Sequence, residues 1–127
     1  MSKGVKFTVY PFVKRQNGIW ITKGIIRDDQ AQDWVHYDYD LPLKSTQGRS
    51  KAELGAVYEL ASTAALVLPT GLPVHVTWRF SSQEAIDAVP GDIDLLIKLA
   101  SASTSYSLEL MEPTVKAVAD LEASSSD

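Results

Sequence analysis

Acidic side chains are the residues of this chain with the clearest chemical potential. Carboxylates are hard oxygen ligands, and several of them that converge in a fold can hold divalent cations. Asp38 and Asp40 stand two residues apart on one face of a strand-like segment, where they could form a paired-carboxylate site, but a solvated face is the more economical explanation. The acids considered as candidates for chemistry are Asp28, Asp29, Asp38, Asp40, Glu53 and Asp120.

Other kinds of reactive site find little support in the sequence. Cysteine is absent, which excludes disulfides, thiolate metal sites and cysteine nucleophiles. His36 and His75 fall on separate predicted strands, whereas a zinc site needs three or four close ligands. There is no G-x-S-x-G elbow and no glycine-rich phosphate loop. We therefore expect no cofactor and no metal, unless the acids bind magnesium or manganese.

Length and charge limit the class of protein. A chain of 127 residues predicts one domain, which we place at residues 1–123, followed by a disordered tail at 124–127. The formal charge of −4 argues against non-specific binding of nucleic acid. No apolar run approaches the ~20 residues of a membrane helix, and the first residues lack an apolar signal core. These features predict a cytoplasmic protein without a membrane partner.

The first third of the chain predicts three antiparallel strands. Apolar and polar residues alternate over 5–13, 19–27 and 34–41, with the period of two that is typical of strands. Asn17 and Gly18 tolerate the positive φ of a tight hairpin turn. Pro11 predicts a bend or an interruption near the end of the first strand.

The rest of the chain predicts helices alternating with strands. A helix is expected over 49–65, with an apolar face that includes Leu54, Val57 and Ala65 and that leaves Glu53 outside it. A strand over 72–80 and short helices over 83–89 and 93–100 follow, and Ser81-Ser82 is expected to cap the first of these helices. A strand over 105–111 and a helix over 114–123 complete the order βββαβααβα. This order predicts an α/β fold with a five-stranded mixed sheet, an antiparallel meander followed by parallel strands, flanked by helices.

Three short segments resemble the ribonuclease H-like superfamily. Ser50-Lys51-Ala52-Glu53-Leu54 resembles the start of the first helix, where a glutamate binds a catalytic metal. Trp78-Arg79-Phe80-Ser81-Ser82-Gln83 resembles the junction that holds an aspartate, with Ser81 in the aspartate position. Ala119-Asp120-Leu121-Glu122-Ala123 resembles the last helix, which carries a fourth acid. The order of elements agrees with this superfamily over most of the chain.

The resemblance implies a catalytically degenerate member. Tyr10 stands where the first strand of the superfamily carries its central aspartate, and Ser81 replaces the second. A phenol or a hydroxyl supplies no charge, whereas two metal ions about 4 Å apart need several carboxylates. Glu53 and Asp120 would then be relics of the site. The simpler interpretations are an acid favoured by the helix dipole for Glu53 and a solvated helix-face acid for Asp120.

Three functional hypotheses follow from the sequence. The preferred one is an inactive RNase H-like module that binds a protein partner as a regulatory or inhibitor protein, with a phage or mobile element as a suggested origin. Homodimerisation through an exposed sheet edge is compatible with it. The second hypothesis is a metal-dependent nuclease that uses the six acids named above. The third is a nucleic-acid-binding protein without catalysis.

Overall fold

The computed structural model describes residues 4–17, 19–30, 34–44 and 48–124, the third of these ranges by its backbone. Within these ranges the chain forms five strands, four α-helices and one short 3₁₀ helix. In chain order they are β1 (Val5–Gln16), β2 (Ile19–Asp28), β3 (Trp34–Lys44), α1 (Arg49–Val67), β4 (Val74–Phe80), α2 (Gln83–Ala88), the 3₁₀ turn Val89–Gly91, α3 (Ile93–Ala102), β5 (Ser105–Leu110) and α4 (Pro113–Ala123).

The strands form one mixed sheet in the order β3-β2-β1-β4-β5. β1 pairs antiparallel with β2, and β2 pairs antiparallel with β3. β4 pairs parallel with both β1 and β5. The predicted α/β fold, with an antiparallel meander, later parallel strands and flanking helices, is confirmed. None of the helices among the described residues is long and apolar enough to cross a membrane.

Proline does not interrupt β1, contrary to the expectation from sequence. Pro11 pairs with Gly24 in an unbroken register that runs to Gln16. The described pairing of β1 with β4 ends earlier, at Val9. Pro11 therefore lies where β1 has a paired neighbour on one side, which is the setting in which a sheet accommodates proline. The hairpin prediction holds for Asn17, whose φ is 51°.

Helix α1 packs closely on one face of the sheet. Val9 and Ile26 pair across β1 and β2, and both belong to the main core together with Leu60 of α1. At Gly24 an added Cβ would stand 2.2 Å from Leu60 Cδ2, so this position accepts no larger residue without repacking. Leu60 is fully buried and cannot move into solvent. Glycine at position 24 thus sets how closely α1 approaches β2.

The opposite face of the sheet receives α4. Tyr10 and Phe12 alternate with Val9 and Val13 along β1, and successive side chains of a strand point to opposite faces. Tyr10 and Phe12 form a second buried cluster with Met111 and with Ala119 of α4. The sheet is therefore covered by α1 on one face and by α4 on part of the other.

The buried face of α1 differs from the predicted one. The apolar pattern placed Ala65 inside and Glu53 outside, whereas Ala65 is exposed and Glu53 is buried. The helix instead turns a row of small residues to the sheet, because small side chains permit the close approach seen at Gly24. The buried residues of this face are Ala52, Glu53, Ala56, Val57, Leu60, Ala61 and Ala64.

Candidate functional site

Glu53 and Ser81 form the buried polar centre of the candidate site. Glu53 lies one turn inside α1, and Ser81 immediately follows β4. The Ser81 backbone N–H donates to Glu53 Oε2 at 2.8 Å. The Ser81 hydroxyl donates to Glu53 Oε1. One residue thus supplies a partner for each of the two carboxyl oxygens.

Burial is the largest influence on the pKa of the Glu53 carboxyl. The side chain is 1% exposed. Burial raises the pKa of the Glu53 carboxyl above its ordinary value, while the two hydrogen bonds from Ser81 and the charge of Arg49 oppose this shift. Glu53 is not an acid of the first helical turn, so the helix-dipole interpretation does not account for it. Its role in the fold is a buried link between α1 and the end of β4.

Asp120 is held between two cations at the meeting of α1 and α4. Arg49 Nη2 lies 2.8 Å from Asp120 Oδ1, and Lys116 Nζ lies 2.9 Å from Asp120 Oδ2. Lys116 and then Arg49 lower the pKa of the Asp120 carboxyl, although its own partial burial acts against them. Asp120 is 41% exposed, so these pairs are worth little individually. The sequence interpretation of Asp120 as a solvated helix-face acid did not include either of these partners.

Tyr10 belongs to a separate network. Its hydroxyl donates to Glu112 Oε2 at 2.8 Å. Arg79 Nε lies 3.3 Å from Glu112 Oε1, and Arg79 also donates to the Leu110 carbonyl at 2.8 Å. Burial, followed by the hydrogen bond to Glu112, raises the pKa of Tyr10 to about 12. The phenol is therefore a neutral donor that joins β1 to the start of α4.

The remaining candidate acids are dispersed. Asp29 accepts from the Thr8 hydroxyl at 2.8 Å and pairs with Arg27 at 3.2 Å. Asp28 accepts from the backbone N–H of Gln30 at 2.8 Å. Asp38 and Asp40 lie on β3, outside the described side chains, as does His36. Among the described residues no group of three or more histidines or acids is placed to hold a metal ion.

The sequence indicated several of these residues but not the residues with which they form hydrogen bonds and ion pairs. Ser82 caps α2 as predicted, because its hydroxyl accepts from Ala85 N at 3.2 Å. Ser81 was assigned the same capping role but instead bonds Glu53. Arg79, Arg49 and Glu112 were not singled out. Arg79 could have been found from its position between the apolar residues Trp78 and Phe80 of β4. This alternation places its side chain on the opposite face of the sheet from theirs.

The order and pairing of the elements define a fold class. The mixed sheet, the glutamate near the start of α1 and the last helix crossing β1 describe an RNase H-like fold. The chain is similar to RNase H1 from the halophilic archaeon Halobacterium salinarum, at 16% identity and a TM-score of 0.55, with 93% of this chain and 94% of that chain covered. It is also similar to the N-terminal RNase H domain of a Mycobacterium tuberculosis protein, at 11% identity and a TM-score of 0.54, with 93% and 95% covered.

A third similar structure is an RNase H1 isolated from compost by a metagenomic approach. Its identity to this chain is 12% and its TM-score is 0.52, with 91% of this chain and 90% of that chain covered. No protein-family model matches the chain. No curated protein matches it in sequence. At these identities the likeness shows the fold, and this chain has an RNase H-like fold over nearly its whole length.

Proposed function

We propose that this chain is a catalytically inactive RNase H-like module that acts by binding. The observation that carries the proposal is the engagement of Glu53, whose two carboxyl oxygens both accept hydrogen bonds from Ser81. The carboxylates that hold divalent cations do so as charged oxygen ligands. Burial raises the pKa of the Glu53 carboxyl, and each of its oxygens already accepts one hydrogen bond from Ser81.

The other positions of the resemblance support the same proposal. Both oxygens of Asp120 contact cations of the chain itself, Arg49 and Lys116. The Tyr10 hydroxyl donates to Glu112 and therefore offers its proton, not a charge. Each group at the resembled site is thus satisfied by a neighbour in the same chain. A metal ion at this site would have to compete with Arg49 and Lys116 for Asp120.

The exposed residues of the protein support the part of the proposal that concerns a protein partner. Helix α3 exposes Ile93 at 71% and Ile97 at 61%, one helical turn apart. Exposed apolar side chains that adjoin on one helix face favour contact with another protein. The net charge of −4 supports a protein partner over a polyanion. A regulatory or inhibitor role, a phage or mobile-element origin, a cytoplasmic location and pairing of two copies at a sheet edge belong to the same proposal.

Hydrolysis assays test the inactive state directly. Labelled RNA–DNA hybrid and labelled single strands are incubated with the protein in magnesium and in manganese, beside an active RNase H as positive control. We expect no cleavage above the protein-free blank from the wild type or from Glu53→Gln. Metal-dependent cleavage by the wild type that Glu53→Gln abolishes would establish the nuclease hypothesis instead.

The binding role has its own test. The protein and an Ile97→Lys variant are used as baits in cells of the native source, and we expect the wild type to retain a specific protein that the variant loses. Sedimentation of the purified chain shows whether it pairs with a second copy of itself, which distinguishes self-association from binding to a different protein. Tight, salt-sensitive binding of single-stranded or double-stranded nucleic acid, with no protein retained, would favour the nucleic-acid-binding hypothesis.

A further inference from the structure

His75 on β4 contacts two serine hydroxyls of the neighbouring strand. Its Nδ1 lies 2.8 Å from Ser105 Oγ, and its Nε2 lies 3.2 Å from Ser107 Oγ. Ser107 also donates to the Thr77 hydroxyl at 3.4 Å. The proposed function uses none of these residues, and they lie apart from Glu53, on the other face of the sheet.

Lys6 extends this cluster onto a third strand. Lys6 of β1 is the register partner of His75, which in turn is the partner of Ser105. Register partners in a sheet share a face, so an ammonium, an imidazole and a hydroxyl stand in one row. Thr77 and Ser107 form the next row. We call the five residues Lys6, His75, Thr77, Ser105 and Ser107 the hydroxyl patch.

The hydroxyl patch is open to a ligand. Lys6 and Ser105 are exposed, and His75, Thr77 and Ser107 are partly exposed. Helix α4 covers this face of the sheet at Tyr10 and Phe12, further along β1. Within the described part of the chain, Lys6 has no ion pair. Its charge is therefore available to a group from outside.

Hydrogen-bond chemistry leaves donors free in this patch. A neutral imidazole has one donor nitrogen and one acceptor nitrogen, so it accepts a hydrogen bond from one serine and donates one to the other. The serine that accepts keeps its own hydroxyl proton. When Ser107 directs its proton to Thr77, the Thr77 hydroxyl proton finds no acceptor among the described residues. Either arrangement leaves at least one hydroxyl donor of the patch without an acceptor among the described residues.

We propose that the hydroxyl patch binds the phosphate group of a small phosphate monoester. Phosphate oxygens accept several hydrogen bonds at once, and the hydroxyls and the Lys6 ammonium lie in two adjacent rows on one face of the sheet. The two arginines nearest on this face are already engaged, Arg27 with Asp29 and Arg79 with Glu109. These acids border the patch and oppose a long polyanion. A compact, doubly charged phosphate fits the patch better than a nucleic-acid strand.

Two-dimensional NMR of the full chain with added inorganic phosphate tests the proposal. We expect saturable shifts confined to residues of β1, β4 and β5 around His75. A small monoester such as glycerol phosphate should give the same shifts at equal or lower concentration. A single-stranded oligonucleotide forms the third arm, and preferential binding of it would overturn the choice of a small ligand.

Variants locate the site. Lys6→Gln should weaken phosphate binding about tenfold, the loss expected for one hydrogen bond to a charged group. His75→Gln should also weaken it, because the imidazole orients the hydroxyls of Ser105 and Ser107. Lys51→Gln is the matched control, because it removes the same charge from the exposed start of α1. Its affinity should equal that of the wild type. Unchanged binding in His75→Gln, loss of binding in Lys51→Gln, or no saturable response to phosphate would each overturn the proposal.

Discussion

Glu53 and Ser81, 28 positions apart, are joined by two hydrogen bonds that leave neither carboxyl oxygen without a partner. One bond uses the backbone of Ser81 and the other uses its hydroxyl. The backbone bond is open to any residue at position 81 except proline, whereas the hydroxyl bond requires this side chain. An aspartate at that position would set a second carboxylate against a buried one. The serine is thus chemically matched to a glutamate that serves the fold.

Ser81→Ala should destabilise the protein by about 1–3 kcal/mol, because it withdraws a donor from a buried carboxyl. Urea unfolding followed by circular dichroism measures this change. Ser101→Ala is the matched control, since the Ser101 hydroxyl bonds the Lys98 carbonyl at an exposed position. Its effect should stay within about 0.5 kcal/mol. Equal costs for the two variants would contradict a special role for Ser81.

Glu53→Gln should change how stability depends on pH. The folded-state pKa of Glu53 lies above 4.5, so between 4.5 and that pKa the folded chain binds more protons than the unfolded chain. The free energy of unfolding that Glu53 contributes is therefore fully present below pH 4.5, and it decreases as the pH rises through the folded-state pKa. Glutamine does not titrate. Unfolding free energies measured from acid to neutral pH should shift in favour of the variant as pH rises, and a constant difference would exclude burial as the dominant influence on Glu53.

Tyr10→Phe should remove one late step from the tyrosine titration. Ultraviolet absorbance of tyrosinate should show a component near pH 12 in the wild type, because the pKa of Tyr10 is raised from 10.0 to about 12. The free energy of unfolding that this phenol contributes is fully present below pH 10.0. It is lost as the pH rises through the folded-state pKa of about 12. At neutral pH the free energy of unfolding of the variant should be about 1 kcal/mol lower than that of the wild type. Tyr58→Phe, at an exposed position, should retain the late component.

Gly24→Ala should cost about 1–3 kcal/mol through overpacking against Leu60. Thermal and urea unfolding both report this loss. Gly91→Ala supplies the comparison, because a Cβ there meets nothing within 4 Å. That change should remain within about 0.5 kcal/mol. A neutral Gly24→Ala would mean that α1 can move away from β2 without loss.

The fold was predictable because its signals are local. Alternation marks β1, β2 and β3, and proline or glycine stands near most helix ends. The face of α1 was not predictable from periodicity, since its alanines satisfy more than one helical stripe. The close approach at Gly24 decides which stripe is buried, and that approach depends on a residue in another element.

The contacts within the candidate site could not be predicted from the sequence. Glu53 and Ser81 were both singled out, and the structure brings them together. Tyr10 was grouped with them, and the structure places it instead with Glu112 and Arg79. Because side chains alternate along β1, Tyr10 lies on the opposite face of the sheet from Val9, which packs in the main core with α1. The partner of a buried polar group depends on tertiary distance, which no residue spacing encodes.

Strand β1 has one neighbour close in sequence and one that is distant. Its pairing with β2 closes a short hairpin, whereas its pairing with β4 joins Val5 to Val74. As the chain leaves the ribosome, the β1–β2–β3 meander can assemble first, with the β4 side of β1 still open. Until Trp78 has emerged, that open side is a template for any other strand. The β4 side of β1 therefore stays unpaired longer than its β2 side during synthesis, and we expect this edge to be the part of the sheet most prone to pair with another chain before the fold is complete.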